Sequence, residues 1–246
     1  MTYRIAIPSY QRAAKLRDAT LALLQRHHIP PSQIDVFVAD ADQHAEYQTI
    51  LTPGTYGNLI VAVPGMRAVR NFMTDYYDEG QHIAFIDDDI DDFLTLTDAS
   101  FSLSTFITYA FEECVERNLR LFGIYPVANR YFMRGGMTEG LTYIVGCFYG
   151  VINNRSIHVT LDDKEDFERS MLYYLADGGV LRYRWVAPVT RYYKNPGGMQ
   201  TTRTTQRILE SAHHLANTYP DLCRLNLKKK SGHPEVRLLR LKRRIL

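Results

Sequence analysis

The sequence predicts an α/β domain on a mixed, mostly parallel sheet with helices on both faces. Three observations lead there. Short apolar runs alternate with stretches of helical periodicity through the first 86 residues. Each apolar run ends in polar residues, as strands do where a parallel sheet opens on a ligand crevice. The chain has 246 residues, 46% of them apolar, enough for one large core.

The first strand covers residues 3–7 and stops at Pro8. Residues 13–27 carry Leu16, Ala19 and Leu23 at helical spacing, until Pro30-Pro31 ends the helix. A second strand covers 34–39, and a helix over 43–51 is broken by Pro53-Gly54. The third strand, 59–63, ends at Pro64-Gly65. A helix over 67–77 stops before Gly80, and a fourth strand covers 82–86. This βαβαβαβ order requires crossovers and so a parallel sheet.

The second half is less regular. Residues 104–118 read as a helix, 121–127 and 143–153 as strands. Gly135-Gly136 and Thr138-Glu139-Gly140 mark the loop between those strands. A helix begins over 166–175, a strand covers 181–186, Gly197-Gly198 marks a loop, and a helix over 202–219 is closed by Pro220. These elements form one domain over residues 1–221, followed by a basic appendage over 222–246.

No apolar run approaches the roughly 18 residues that a membrane span needs. The N-terminus enters a strand directly, without the basic and apolar regions of a signal peptide. Cys114, Cys147 and Cys223 are odd in number and widely spaced, the pattern of reduced thiols rather than a disulfide framework. A cytoplasmic location is the expectation. The net charge of +2 is unevenly spread: residues 224–246 hold nine Lys or Arg and one acid, a net +8 that leaves −6 for the preceding 223. A basic end on a mildly acidic body suits a polyanion or an anionic surface.

The polar strand ends supply the candidate site. The first gives Ser9, Tyr10 and Arg12, the second Asp40 and Asp42. The third leads to Arg67, Arg70 and Asn71, and the fourth runs into Asp87-Asp88-Asp89 with Asp91 and Asp92. Carboxylates this close repel one another, and a divalent cation answers that charge. With oxygen ligands only, the ion is Mg or Mn rather than zinc. Alternate acids, Asp87 and Asp89, can face the same side. The competing reading is a solvated acidic turn that caps the next helix.

Taken together, Ile5-Ala6-Ile7-Pro8-Ser9-Tyr10-Gln11-Arg12, Arg70-Asn71 and Phe85-Ile86-Asp87-Asp88-Asp89 resemble the opening strand, the following helix and the Asp-x-Asp strand of GT-A-fold glycosyltransferases. The resemblance covers residues 3–200. Ile7-Pro8-Ser9-Tyr10, the triple acid, Glu165-Asp166, Gly197-Gly198 and the basic C-terminus make the chain most similar to the phage TET-associated glycosyltransferases, which modify hydroxymethylated cytosine in DNA. That likeness implies roles. Pro8, Ser9, Tyr10, Arg12, Asp40, Arg67, Arg70, Asn71, Asp87 and Asp88 would hold a nucleotide-sugar donor, a UDP-sugar by family analogy. Asp89 and Asp87 would hold the metal, with His233 as an added ligand. Asp166 would be the general base of an inverting transfer, and Glu165 would touch the acceptor.

Two features stay open. The acids Asp162-Asp163 also suit a helix N-terminus. Lys228-Lys229-Lys230, Arg237, Arg240, Lys242 and Arg243 would neutralise DNA phosphates in a sequence-blind way. Their interleaving with Leu238, Leu239, Leu241, Ile245 and Leu246 also fits an amphipathic helix on a membrane surface. That favours a transferase that builds a cell-surface glycan. A third reading is a nucleotide-sugar or DNA-binding module without catalysis.

Overall fold

A computed structural model describes residues 2–96, 100–190, 204–226 and 235–244. In chain order the first half is β1 (Arg4–Pro8), a helix, β2 (Ile34–Val38), α3 (Ala41–Ile50), β3 (Asn58–Val61), α4 (Met66–Tyr76) and β4 (His82–Ile86). The helix after β1 runs as α1 (Ala13–Leu16), a wider π-helical stretch (Arg17–Leu21) and α2 (Ala22–Arg26). The second half contributes β5 (Asp92–Thr95), α5 (Leu103–Glu116), β6 (Leu121–Ile124), β7 (Met137–Thr138), β8 (Phe148–Ile152), α6 (Glu165–Asp177), β9 (Leu181–Tyr183), β10 (Val186–Val189), α7 (Thr205–Thr218), β11 (Cys223–Asn226) and β12 (Glu235–Leu238).

Eight strands form one sheet in the order β3-β2-β1-β4-β8-β6-β9-β7. β1 to β4 are mutually parallel. β8 lies antiparallel between β4 and β6, so β6 and β9 point the same way as β1 to β4. The alternation of side chains divides each central strand between two cores. Ile5, Ile7, Ala84 and Ile86 face α1, α2 and α5, where Leu16, Leu23, Ile107 and Phe111 lie. Ala6, Ile83 and Phe85 face Val69 and Met73 of α4 and Tyr173 of α6. This is the predicted α/β architecture with helices on both faces.

β6 and β8 approach their neighbours where side chains are missing. A Cβ on Gly150 would lie 2.1 Å from the Phe122 ring, and one on Gly123 would lie 2.4 Å from Ile144. Contacts that close are repulsive, so neither position accepts even alanine without movement of its neighbour.

Three sequence expectations need correction. The strand expected over 181–186 is two strands in different sheets: β9 pairs with β6, whereas β10 pairs antiparallel with β5, which was not foreseen. The loop expected around residues 135–140 contains the short strand β7, paired with β9. Residues 235–238, part of the proposed amphipathic helix, form β12 against β11. Nor do the described residues of the basic segment hang free. Leu222, Cys223 and Val236 are buried with Met171 and Tyr174 of α6 and with Ala212 and Leu215 of α7. The backbone of Arg244 bonds to Gly178 and that of Leu241 to Leu141. The three cysteines are buried free thiols. No described helix is long and apolar enough to cross a membrane.

Candidate active site

A cleft of about 580 Å³ opens beyond the carboxyl ends of β1, β2 and β4. Its donor-side wall holds Pro8, Ser9, Tyr10, Arg12, Arg70, Asp87, Asp88 and Asp89. The facing wall holds Tyr143, Gly146, Glu165 and Asp166. Ten of the sequence-predicted residues are thus gathered in one cavity.

The acidic turn is strapped from beneath. Thr20, in the π-helical stretch, is fully buried. Its hydroxyl donates to the Asp87 carbonyl at 2.7 Å and accepts the Ile90 N–H at 3.1 Å. The extra backbone width of a π-turn is a frequent device near functional sites. The carboxylates of the run then diverge. Asp87 accepts from Arg70 Nη2 at 2.9 Å. Asp88 turns inward and accepts from the Ser9 hydroxyl at 2.6 Å and from Arg12 at 3.3 Å. Asp89 accepts from Arg12 at 3.4 Å and from the Thr190 hydroxyl at 3.2 Å. Asp91 pairs with Lys15 at 2.7 Å. Burial pushes the Asp88 carboxyl up to about 7, against the pull of Ser9 and Arg12. Burial also raises Asp87, and Arg70 pulls it back. Much of the repulsion that the sequence alone assigned to a metal is therefore met by Arg12, Arg70 and Lys15.

The donor set still fits a hard divalent ion. Asp87 and Asp89 both reach the cleft with oxygen ligands. No cluster of three His, Cys, Asp or Glu able to hold a metal occurs among the described residues. Mg and Mn commonly bind through one or two carboxylates plus substrate phosphates and water, which is what two acids in an open cleft allow. The predicted ligand His233 lies outside the described residues, as do Lys228, Lys229, Lys230 and the Gly197-Gly198 loop.

Arg70 is 96% buried yet lines the cleft, because only 4% of it is exposed. Its Nη2 donates to Asp87 and, at 3.1 Å, to the Gly146 carbonyl. Its Nε and Nη1 are buried and find no acceptor among the described residues. Buried guanidinium donors left without a partner are costly and suit an anion at that point.

Three predicted donor residues do structural work instead. The Asp40 carboxylate accepts the Gln43 N–H at 2.8 Å and caps α3. Asn71 accepts the Val159 N–H and donates to the Val159 carbonyl, both at 2.9 Å, and so clamps the loop before α6. Arg67 is exposed, and its guanidinium donates to the Thr160 carbonyl at 3.4 Å. None of the three lines the cleft.

The facing wall is built around the start of α6. Glu168 is fully buried and accepts from the Thr160 N–H, the Thr160 hydroxyl and the Leu161 N–H, which fixes the preceding loop. That loop delivers Asp162 to the Arg67 N–H at 3.0 Å, capping α4 where Gly65 offers no side chain. Glu165 is buried beneath Gly146, 3.9 Å from Arg169. Burial first, then the charge of Asp166, raises it to about 7. Arg169 lies 3.7 Å from the centre of the Tyr149 ring. Asp166 accepts from the Tyr143 hydroxyl at 2.5 Å and from the Phe167 N–H at 2.9 Å.

Sequence reasoning passed over Tyr143, Asp162, Thr190 and Arg207, all of which line the cleft. Arg207, on α7, reaches Asp163 at 3.4 Å and Asp162 at 3.8 Å. No motif marks them. The polar position Arg207 on the otherwise apolar stripe of α7 was the one available signal.

Of the predicted nucleic-acid contacts, Arg237, Arg240 and Lys242 are exposed. Arg243 is committed elsewhere, to Glu139 at 3.1 Å and to the Arg117 carbonyl. Arg224 stands directly opposite Arg237 across β11 and β12, and both line a depression of about 270 Å³ with Arg240.

No protein-family model matches the sequence, and no curated protein matches it. Solved structures match the fold. S. aureus TarS is similar with a TM-score of 0.51 at 14% identity, over 88% of this chain and 40% of TarS. A mycobacterial protein gives 0.53 at 8% identity, over 98% of this chain and 84% of that one. The mannosyltransferase PcManGT from Pyrobaculum calidifontis, in complex with GDP-Man and Mn2+, gives 0.56 at 14% identity, over 89% and 64%. The chain therefore spans less than two thirds of TarS and of the mannosyltransferase. The architecture, with its cleft at the strand ends, is the GT-A fold of glycosyltransferases.

Proposed function

We propose that the chain is a metal-dependent glycosyltransferase that moves a sugar from a nucleotide-sugar donor to an acceptor hydroxyl. One observation carries this reading. A single cleft sets the acid run, with the half-partnered guanidinium of Arg70, across from Asp166. Pro8, Ser9 and Tyr10 would line the nucleoside, and Arg70 and Arg12 would meet the diphosphate. Asp87 and Asp89 would hold Mg or Mn, which when bound neutralises charge on the leaving diphosphate. The fold's likeness to a protein that binds GDP-Man and Mn2+ supports a nucleotide sugar and a divalent ion in general. A UDP-sugar is the donor we expect from the family resemblance.

In the transfer, the acceptor oxygen bonds to the anomeric carbon as its proton passes to Asp166. The bond from that carbon to the diphosphate oxygen breaks, and its electron pair leaves with the nucleoside diphosphate. With one base and no covalent sugar intermediate, the configuration inverts.

For the acceptor we propose the hydroxyl of 5-hydroxymethylcytosine in phage DNA, the enzyme working in the host cytoplasm. The cross-strand pair Arg224 and Arg237 supports a polyanion: like charges directly opposite on a sheet are unfavourable until an anion answers them. The membrane-glycan alternative has lost its amphipathic helix, since Val236 is a buried strand residue.

The test incubates the protein with hydroxymethylcytosine-containing DNA, a panel of UDP- and GDP-sugars, and Mn or Mg, followed by mass spectrometry of the nucleosides. A hexose or pentose mass gain on hydroxymethylcytosine is expected. Donor hydrolysis without DNA modification would remove the acceptor assignment. Donor binding without any cleavage would make the protein a non-catalytic module.

A further inference from the structure

We infer that Tyr143 is the positioning residue for Asp166, its hydroxyl fixing the carboxylate in the orientation that faces the acceptor. The inference rests on the reading of Asp166 as the base.

The geometry is specific. Asp166 stands in the first turn of α6, whose N-terminus has no side-chain cap of its own. One carboxylate oxygen accepts the Phe167 N–H at 2.9 Å, and the other accepts the Tyr143 hydroxyl at 2.5 Å. Two donors on two different oxygens remove the freedom to rotate about the terminal torsion, which is otherwise broad for Asp. Each oxygen keeps a second lone pair for an acceptor hydroxyl. Without Tyr143, only the backbone bond to Phe167 would restrain the group.

Tyr143 is itself held at three points. Its ring stacks on Phe167 at 4.3 Å, with planes 25° apart. Its carbonyl accepts from Arg182 at 3.1 Å, and the Arg182 guanidinium lies 5.7 Å from the centre of the Tyr125 ring. Its hydroxyl is spent on Asp166. The loop from Tyr143 to Cys147 leads into β8 and lines the cleft, so the tyrosine reaches the base from the central sheet rather than from α6. Burial and the charge of Asp166 raise the phenol well above its ordinary range, so it stays a donor at working pH. The other charged groups near Asp166 are Glu165 beside it, with Arg169, Arg70 and Asp87 next to Glu165. None of these makes a hydrogen bond to Asp166 among the described residues. An active-site base held by such a support loses rate when misplaced by about 1 Å, on the order of a hundredfold in the worst case.

The experiment compares wild type, Tyr143→Phe, Asp166→Asn and the double variant. Activity is the steady-state release of nucleoside diphosphate with MnCl2, from whichever UDP- or GDP-hexose the wild type hydrolyses fastest. Phenylalanine keeps the ring stack, so the thermal midpoint should stay in place. Tyr143→Phe should lower kcat about tenfold or more while donor KM stays within about twofold, and it should add no further loss in the Asp166→Asn background. Wild-type kcat in Tyr143→Phe, or an additive loss in the double variant, overturns the inference. Wild-type kcat in Asp166→Asn overturns the base assignment itself, and that outcome is distinct from an inactive Asp166→Asn beside a fully active Tyr143→Phe.

Discussion

The Ser9 hydroxyl and the Asp88 carboxylate meet at 2.6 Å, both buried, while the neighbouring acids Asp87 and Asp89 open to the cleft. Consecutive residues of an extended turn point to opposite sides, so three adjacent acids do not share one task. Asp88 joins Ser9, Arg12 and Tyr47 in a network that ties β1 to the acidic turn: the Tyr47 hydroxyl lies 2.7 Å from Ser9 and accepts the Arg12 N–H at 3.0 Å.

It follows that Asp88→Asn and Asp89→Asn should differ in kind. The Asp89 variant should lose Mn-stimulated donor hydrolysis with its thermal midpoint unchanged. The Asp88 variant should keep Mn stimulation, because asparagine can still accept from Ser9. Titration of MnCl2 against nucleoside diphosphate release checks both. Equal loss of the Mn response in the two variants would refute the division of roles.

Asn71 should behave as a structural clamp. Asn71→Ala leaves the Val159 N–H and carbonyl without their partners, and Val159 is buried. The expected cost is about 2 kcal/mol of folding stability. Denaturant titration should show that loss, with the donor KM of the folded variant unchanged. A raised KM with unchanged stability would restore Asn71 to the donor site.

These cases mark what the sequence can reveal. The parallel strands were legible, because four apolar runs are separated by crossover helices, and so was the crevice where Pro8 to Arg12 and the acid run converge. The duties of Asp40, Arg67 and Asn71 were not. A polar residue at an element end has the same sequence signature whether it caps a helix, clamps a loop or touches a ligand. β5 and β10 were missed because residues 92–95 become a strand only through pairing with residues 186–189, far along the chain. Tyr143 and Arg207 were illegible for the same reason: their roles exist only once separate elements are packed together.

Glu165 gives a prediction with pH. Its carboxyl is raised from 4.5 to about 7 in the folded protein, chiefly by burial and then by Asp166. The folded state therefore binds a proton that the unfolded state has already released between those values. This contribution to stability is fully present below the lower value and is lost as pH rises through about 7. Glu165→Gln removes it, so the variant's thermal midpoint should gain on the wild type from pH 5 to pH 8. Parallel melting curves across that range would expose a constant difference, which is the outcome that contradicts the assignment.

Gly146 and Gly150 flank the entry to β8 and should respond differently to alanine. A Cβ on Gly150 would lie 2.1 Å from the buried Phe122 ring, which is locked between sheet and α5. Relief requires the core to shift, at a cost of roughly 1–3 kcal/mol. At Gly146 the new methyl would meet Glu165 Oε1 at 3.0 Å and Asp166 Cβ at 3.4 Å, gaps that a few tenths of an ångström would relieve. Relief there moves the first turn of α6, and with it the carboxylate assigned as base. Gly146→Ala should therefore fold nearly as well as wild type yet lose about tenfold in kcat, whereas Gly150→Ala should lose stability and keep the kcat of whatever fraction is folded. Melting curves paired with active-fraction-corrected kinetics separate the two, and a fully active, unperturbed Gly146→Ala would show that the turn does not set the rate.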